Sequence, residues 1–548
     1  MADRDRLQQR PVNMMTRSVS PHRRVEDRSL DDFLEISYQQ TRMGMRQWKY
    51  WCIVLSLGVA NSSDAAEILC LSYILSDGEF QSTMLQGQSG GILAAAVFFG
   101  MLVGGLFIGT LGDWFGRKPM LLVGLGCNVV AGLLSSVAPS VAVLSLLRWI
   151  AGVGIGATVP PLFTLVTELA PPSQRGLCVT ICASFWMVGS IYVALVAMWI
   201  LEHLGGSWRL FAVACAIPSA AGAILVSTLV PESPRFLALG GRHSEALNVS
   251  NFLAQSMSYR GSLMTVGEME RSFPRSQNAN PALLGRQSLW TVVETALVEF
   301  CRSARQLYLP HTRKTTWPLQ MIWFSLSFGS YGLMTWINTL FVEVHLQNVY
   351  FNALLFAASN LPGNILTAIW MDKVGRSPML ISSVLAAAAS LLAFAWCANV
   401  MNASGIVLSA CSFQCFTIAA WNVIDTLTSE LFPTAVRSTG MGVCAASGRI
   451  GAMLAQFVNG ALVGKPIRLL LVASGTLLLG AVTPCLLPHG DITGQPVQDV
   501  VGNMTTDDAV YTPLPRPLDG HSPHAHDTES SSYQSLAKIE TTEMSAVE

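Results

Sequence analysis

Twelve segments of this sequence are long and apolar enough to cross a lipid bilayer, which takes roughly 20 residues each. They run over 48–76, 89–111, 119–138, 141–168, 177–202, 208–230, 317–343, 350–371, 378–400, 404–431, 437–463 and 466–487. The reading is an all-α membrane protein with twelve transmembrane helices, whose partner is the lipid bilayer. Composition agrees, because charged residues make up 12% of the chain, about half the usual quarter of a soluble domain. The formal net charge of -1 offers no global basic field, so no nucleic-acid partner is expected. Most of the 12 cysteines fall inside apolar runs, without metal-ligand or paired spacing. They read as small buried hydrophobes.

The spans divide six and six. Residues 48–230 form one six-helix half and 317–487 the other, joined by a long polar loop at 231–316. Arg and Lys concentrate on one side of the predicted membrane, with nine Arg in residues 1–47 and ten Arg or Lys in 231–316. That bias marks the cytosol and places both termini and the central loop there. Residues 1–47 are expected to be a disordered cytosolic segment. The acidic, Pro- and Ser-rich tail 488–548 is expected to be disordered as well.

The halves repeat. Gly112-Asp113-Trp114-Phe115-Gly116-Arg117-Lys118-Pro119 follows the second span, and Met371-Asp372-Lys373-Val374-Gly375-Arg376-Ser377-Pro378 follows the eighth, 259 residues later. Thr167-Glu168-Leu169-Ala170-Pro171 through Arg175 follows the fourth span, and Ser429-Glu430-Leu431-Phe432-Pro433 through Arg437 the tenth, 262 residues later. Two matched pairs at nearly one offset indicate two pseudo-symmetric halves, a repeat used by alternating-access carriers.

These turns, with Pro231-Glu232-Ser233-Pro234-Arg235 after span six, resemble the major facilitator superfamily in its sugar and organic-ion porter branch, over about 48–490. Trp323-Phe324-Ser325-Leu326-Ser327-Phe328-Gly329-Ser330-Tyr331-Gly332-Leu333 is similar to the seventh helix of synaptic-vesicle glycoprotein 2 and its related proteins. So are Leu361-Pro362-Gly363-Asn364-Ile365, Trp421-Asn422-Val423-Ile424-Asp425 and the paired acids Asp64 and Glu67. Those vesicle proteins carry a large luminal domain between helices seven and eight, where this chain has only about 344–349. The resemblance therefore implies a bare transporter core in the major facilitator fold.

Asp64 and Glu67 lie near mid-membrane, and a spacing of three puts both on one helical face. Buried charge is costly there unless paired or neutralised. The pair points to a cationic substrate or to proton uptake, with a structural salt bridge as the other reading. Arg148 lies at a similar depth on the fourth helix, and the resemblance implies a proton-coupling role for it. Gly152, Gly154 and Gly156 permit close helix packing. On the tenth helix Trp421 and Asn422 share a face with Asp425, and an acid with an aromatic wall suits a positively charged or hydrogen-bonding organic substrate. The resemblance places this stretch, and the aromatics Trp186, Trp323 and Tyr331, around a central ligand cavity. Arg449 is the remaining cation inside the predicted bilayer, able to pair with Asp425 or to hold an anionic substrate group.

The turn residues Asp113, Gly116, Arg117 and Lys118, with Asp372 and Arg376 in the copy, are expected to latch the halves in one state and release them in another. Glu168 with Arg175, and Glu430 with Arg437, are expected to complete that latch. No catalytic constellation, phosphate-binding loop or cofactor motif is present, so no enzyme and no cofactor are expected. Tyr533-Gln534-Ser535-Leu536 fits a Tyr-x-x-apolar signal for a sorting adaptor. The expected function is secondary active transport of a small organic solute, an organic ion by preference, with proton coupling. A sugar or polyol carrier is the alternative within transport, and a non-transporting membrane receptor or trafficking protein the alternative outside it. The expected location is the plasma membrane or an endosomal or vesicular membrane.

Overall fold

The computed structural model describes residues 28–40, 47–86, 90–274, 298, 301–302, 304–310, 312–432 and 436–487, the side chains of 107–110 and 113 apart. The acidic tail and Tyr533 lie outside the described residues. Every membrane-length element among those described is a helix: α1 (Trp48–Ser76), α2 (91–115), α3 (Arg117–Ser135), α4 (Val141–Leu169), α5 (Pro172–His203), α6 (Trp208–Leu229), α7 (Arg313–Glu343), α8 (Val349–Val374), α9 (Arg376–Asn399), α10 (Ala403–Leu431), α11 (Arg437–Ala461) and α12 (Pro466–Leu486). Ten of them are long and apolar enough to cross a membrane by length and composition. The other two depart for visible reasons. α2 changes winding through a π turn at Gly104–Ile108. α7 buries Ser325, Ser327, Ser330, Thr335, Asn338 and Thr339, so its hydropathy is low although it lies inside the bundle.

Packing repeats at a shift of six helices. α1 packs on α5 and α6 as α7 packs on α11 and α12. The pairs α2–α4, α3–α4 and α3–α6 recur as α8–α10, α9–α10 and α9–α12. The halves meet through α1–α7, α2–α11 and α5–α8. Large exposed apolar residues such as Ile92, Leu408 and Leu479 face outward, as a lipid-facing surface requires. Small residues set the closest approach in the first half. A Cβ on Gly152 would stand 2.1 Å from the Val97 carbonyl oxygen of α2, and one on Gly156 2.3 Å from that of Met101. Gly154 turns instead to α3, where Asn128 Oδ1 would be 2.2 Å away. The sequence reading of these glycines as packing residues is thus met on two different helices.

One expectation fails at the amino terminus. Within the segment 1–47 read as disordered, Leu30–Gln39 is a helix with a Ser29 capping box, and it buries Leu30, Phe33, Leu34 and Tyr38. It packs on the helix His243–Ser256 of the central loop. The cause is amphipathicity: the arginines flanking this stretch dominated the reading, while its apolar residues recur at helical spacing. Asp31 ties the helix down through ion pairs to Arg175 (2.6 Å) and to Arg235.

Candidate functional site

α1 carries two carboxylates into the interior of the first half, with Asp64 and Glu67 0% and 1% exposed. Their partners differ. Glu67 forms an ion pair with Arg148 of α4, Oε2 to Nη1 at 3.0 Å. Arg148 also donates to Ser135 Oγ at 2.7 Å and to Cys70 Sγ at 3.3 Å. Asp64 has no ion pair within 4.0 Å among the described residues. Its partner is a hydroxyl. Thr158 Oγ1 of α4 lies 3.0 and 2.9 Å from the two Asp64 oxygens, and 2.8 Å from the Ile155 carbonyl oxygen. A hydroxyl carries one proton and two acceptor pairs. When Asp64 is ionised, Thr158 donates to it. When Asp64 is protonated, the carboxyl donates to Thr158, and the hydroxyl proton turns to Ile155. Asp64 and Thr158 keep a partner in either state.

The second half builds an aromatic wall. The Trp421 ring meets Trp323 edge-on at 5.4 Å and Tyr331 at 5.7 Å, and Tyr331 reaches across to Phe98 of α2 at 5.5 Å. Hydrogen bonds fix the indoles: Trp323 Nε1 donates to Thr428 Oγ1 at 3.0 Å, and Trp421 Nε1 to Ser330 Oγ at 3.2 Å. Asn422 donates to Asn364 Oδ1 at 2.8 Å. Arg449 of α11 lies over the Tyr331 ring, 5.5 Å from its centroid. Asp425 is exposed although it lies well inside α10, one helical turn after Trp421. Trp186 stands apart from this wall. It borders a cavity between the halves with Ser72, Tyr73, Asn338, Asn360 and Gln414.

The turn residues are held by ion pairs. Glu168 pairs with Arg117 (3.4 Å), and Arg175 with Asp31. Glu430 pairs with Arg376 (3.1 Å), which also meets Asp372 at 2.8 Å. Arg437 donates to the Phe432 carbonyl oxygen. The glutamates thus join the turn residues themselves: Arg117–Glu168 and Arg376–Glu430 tie the start of the third helix of each half to the end of the fourth, while Arg175 and Arg437 turn to other partners. The Asp113 side chain lies outside the described residues.

Glu232 was missed. Its carboxylate accepts the Arg117 and Lys118 backbone N–H groups (3.2 Å each) at the start of α3 and the Ser233 N–H at 2.8 Å, where a helix N-terminus favours an anion. Burial pushes this carboxyl up from its ordinary value, against those N–H groups. Gly116 permits the approach. Its φ of 107° and ψ of 152° are nearly exclusive to glycine, and a Cβ would stand 2.4 Å from Glu232 Oε2. Gly375, at φ 97° and ψ 156°, repeats the turn. Arg117→Gln is expected to slow turnover by about tenfold, the equivalent of 1.4 kcal/mol, with equilibrium ligand affinity unchanged. Comparing initial uptake rates with equilibrium binding on the same preparation checks this. A loss confined to affinity would assign Arg117 to the ligand site.

Contacts between the halves concentrate away from these turns. Asn338 of α7 donates to Ser72 of α1 at 3.1 Å, and Tyr73 stacks on Tyr350 at 6.4 Å. Leu71, Ile74, Trp336, Ala353 and Ala357 share one apolar cluster there. On the face where α1 and α7 begin, both Arg–Glu pairs join elements of a single half. These contacts between the halves lie toward the face where α1 and α7 end.

Comparison with known proteins accords with this architecture. The family described as "Sugar (and other) transporter" matches residues 57–466. Synaptic vesicle glycoprotein 2C of Rattus norvegicus is 25% identical, over 86% of this chain and 82% of its own length. Synaptic vesicle 2-related protein of Bos taurus is 28% identical, over 84% and 81%. An inward-open structure of the xylose transporter XylE from E. coli superposes with a TM-score of 0.63 at 17% identity, covering 82% of this chain and 98% of that one. A structure of the XylE proton:xylose symporter bound to 6-bromo-6-deoxy-D-glucose gives 0.60 at 18%, with the same coverage. With two pseudo-symmetric bundles around a central cavity and a family match across most of its length, this chain is an integral membrane transporter, not an enzyme, and belongs to the sugar (and other) transporter family of the major facilitator superfamily.

Proposed function

We propose that the protein is a proton-coupled secondary active transporter of a small organic ion, working by alternating access with both termini in the cytosol. The observation that carries this reading is Asp64, a fully buried carboxyl that makes no ion pair within 4.0 Å among the described residues and whose hydroxyl partner serves the ionised and the protonated acid equally. Arg148 balances Glu67, which makes that pair a brace and leaves Asp64 as the proton carrier. The arginine-rich amino terminus and central loop support the cytosolic assignment. They also make the face where α1 and α7 begin the cytosolic one. The Arg117–Glu168 and Arg376–Glu430 pairs stiffen each half at that face. The vesicle proteins among the relatives favour an endosomal or vesicular membrane.

The test is uptake of a panel of organic cations, anions and zwitterions into liposomes under imposed pH gradients of both signs. Accumulation that follows the sign of the gradient supports the reading, and indifference to it removes proton coupling. A second reading, a polyol carrier, has one observation behind it. Asn338 Oδ1 and Gln414 Oε1, on residues lining the cavity between the halves, are buried acceptors without a hydrogen-bond partner among the described residues. Hydroxyl groups would satisfy both, and sugars in the same panel separate the two readings.

A further inference from the structure

Arg449 and Asp425, at the two ends of the aromatic wall, are not ion-paired with each other. Arg449 makes no ion pair within 4.0 Å with any described residue, and it rests on the Tyr331 ring. Asp425 is exposed and has no hydrogen bond or ion pair among the described residues. The arginine's charge nevertheless acts on the Asp425 carboxylate, and it acts on Asp64 of α1 as well. The aromatic wall links them: Tyr331 beneath Arg449 touches Trp421, which lies one helical turn before Asp425, and Trp323 closes the corner.

A gap between an unpaired cation and an unpaired anion selects its occupant by charge arrangement. While the site is open, water solvates both groups. When the halves close, that water leaves, and each charge needs a partner. A simple cation would satisfy Asp425 and be repelled by Arg449. A simple anion would do the reverse, and a neutral polyol would leave both charges uncompensated. We propose that the substrate of this site is a small zwitterion, its ammonium group held by Asp425 against the faces of Trp421 and Trp323 and its carboxylate held by Arg449. Cation–π attraction favours a methylated ammonium at such a wall, and a guanidinium suits a carboxylate through paired N–H donors. The proposal deepens the organic-ion reading above and rests on it.

The experiment uses the purified full-length chain in lipid nanodiscs. The probes are trimethylammonium carboxylates with one, two or three methylenes between the charges, choline as the matching cation, and 3,3-dimethylbutyrate as the matching anion. Equilibrium binding to wild type is expected to favour one of the zwitterions by about tenfold or more over either single-charge probe, the worth of one charge-assisted hydrogen bond. Arg449→Gln should bring choline level with the zwitterion, and Asp425→Asn should do the same for 3,3-dimethylbutyrate. Since neither residue is ion-paired, both variants should keep the wild-type melting temperature. Tenfold preference of wild type for a single-charge probe overturns the proposal, as does absence of binding by every zwitterion. The wild-type comparison decides even if a variant does not fold. Liposome uptake of any other panel member in that case leaves the transport reading standing. No uptake of any solute removes the transport reading itself.

Discussion

Asp64→Asn is expected to convert gradient-driven accumulation into simple equilibration. A one-unit pH gradient is worth about 1.4 kcal/mol, so tight one-to-one coupling gives wild type about tenfold accumulation. The variant should reach a concentration ratio near unity under the same gradient, and substrate exchange without a gradient should persist. Asn keeps the shape of Asp and can still bond Thr158, but it carries no exchangeable carboxyl proton. Thr158→Val tests the same device from the other side, since it retains the bulk and removes the rotating hydroxyl. Proteoliposomes loaded at two internal pH values supply the measurement. If Asp64→Asn still accumulates solute along the proton gradient, the coupling site lies elsewhere.

Glu67→Gln should behave in the opposite way, with its loss appearing in stability. The Glu67–Arg148 pair is sealed from water on both sides, and Arg148 Nε already has no acceptor. Removing the carboxylate strands a guanidinium inside the bundle, a loss of about 3–5 kcal/mol. Melting temperature and the yield of monodisperse protein report it. The double change Glu67→Gln with Arg148→Met leaves no stranded charge and should recover most of the loss. A single variant as stable as wild type would show that Arg148 has another counter-charge. The two acids of α1, three residues apart, are thus distinguished by two different measurements.

The different partners of the two acids were not legible in the sequence, although most of the fold was. Span lengths, the two offsets near 260 residues and the turn motifs contain the architecture, because long apolar helices and repeated charged turns are local signals. The spacing of three put Asp64 and Glu67 on one face. Which of them meets Arg148 depends on the rotation of α4 against α1, and that is set by the close packing of Gly152, Gly154 and Gly156 on α2 and α3. Thr158 escaped notice because a threonine in an apolar helix usually bonds its own backbone, as Thr158 also does here. Glu232 was quoted as part of a motif, but its role depends on folding back across 115 residues to the turn after α2. The Ser29 capping box was readable in principle, since Ser29 and Asp32 have its spacing. The amino-terminal arginines drew attention away from it.

The Arg449 side chain has a further consequence, visible once the site's charges are followed through a transport cycle. Asp425 and Arg449 cancel, and so do Glu67 and Arg148. A bound zwitterion adds nothing, and a protonated Asp64 is neutral. On the proton-coupled zwitterion reading proposed above, the loaded carrier crosses the membrane field without net charge. After release, Asp64 returns ionised, so the empty carrier moves one negative charge back through the field. Work against a membrane potential, about 2.3 kcal/mol per charge per 100 mV, then falls on the return step. Electrical recordings from protein-loaded planar membranes should show current during net uptake and none during exchange of labelled for unlabelled substrate. The proton gradient and the voltage would thus drive one cycle at two different steps.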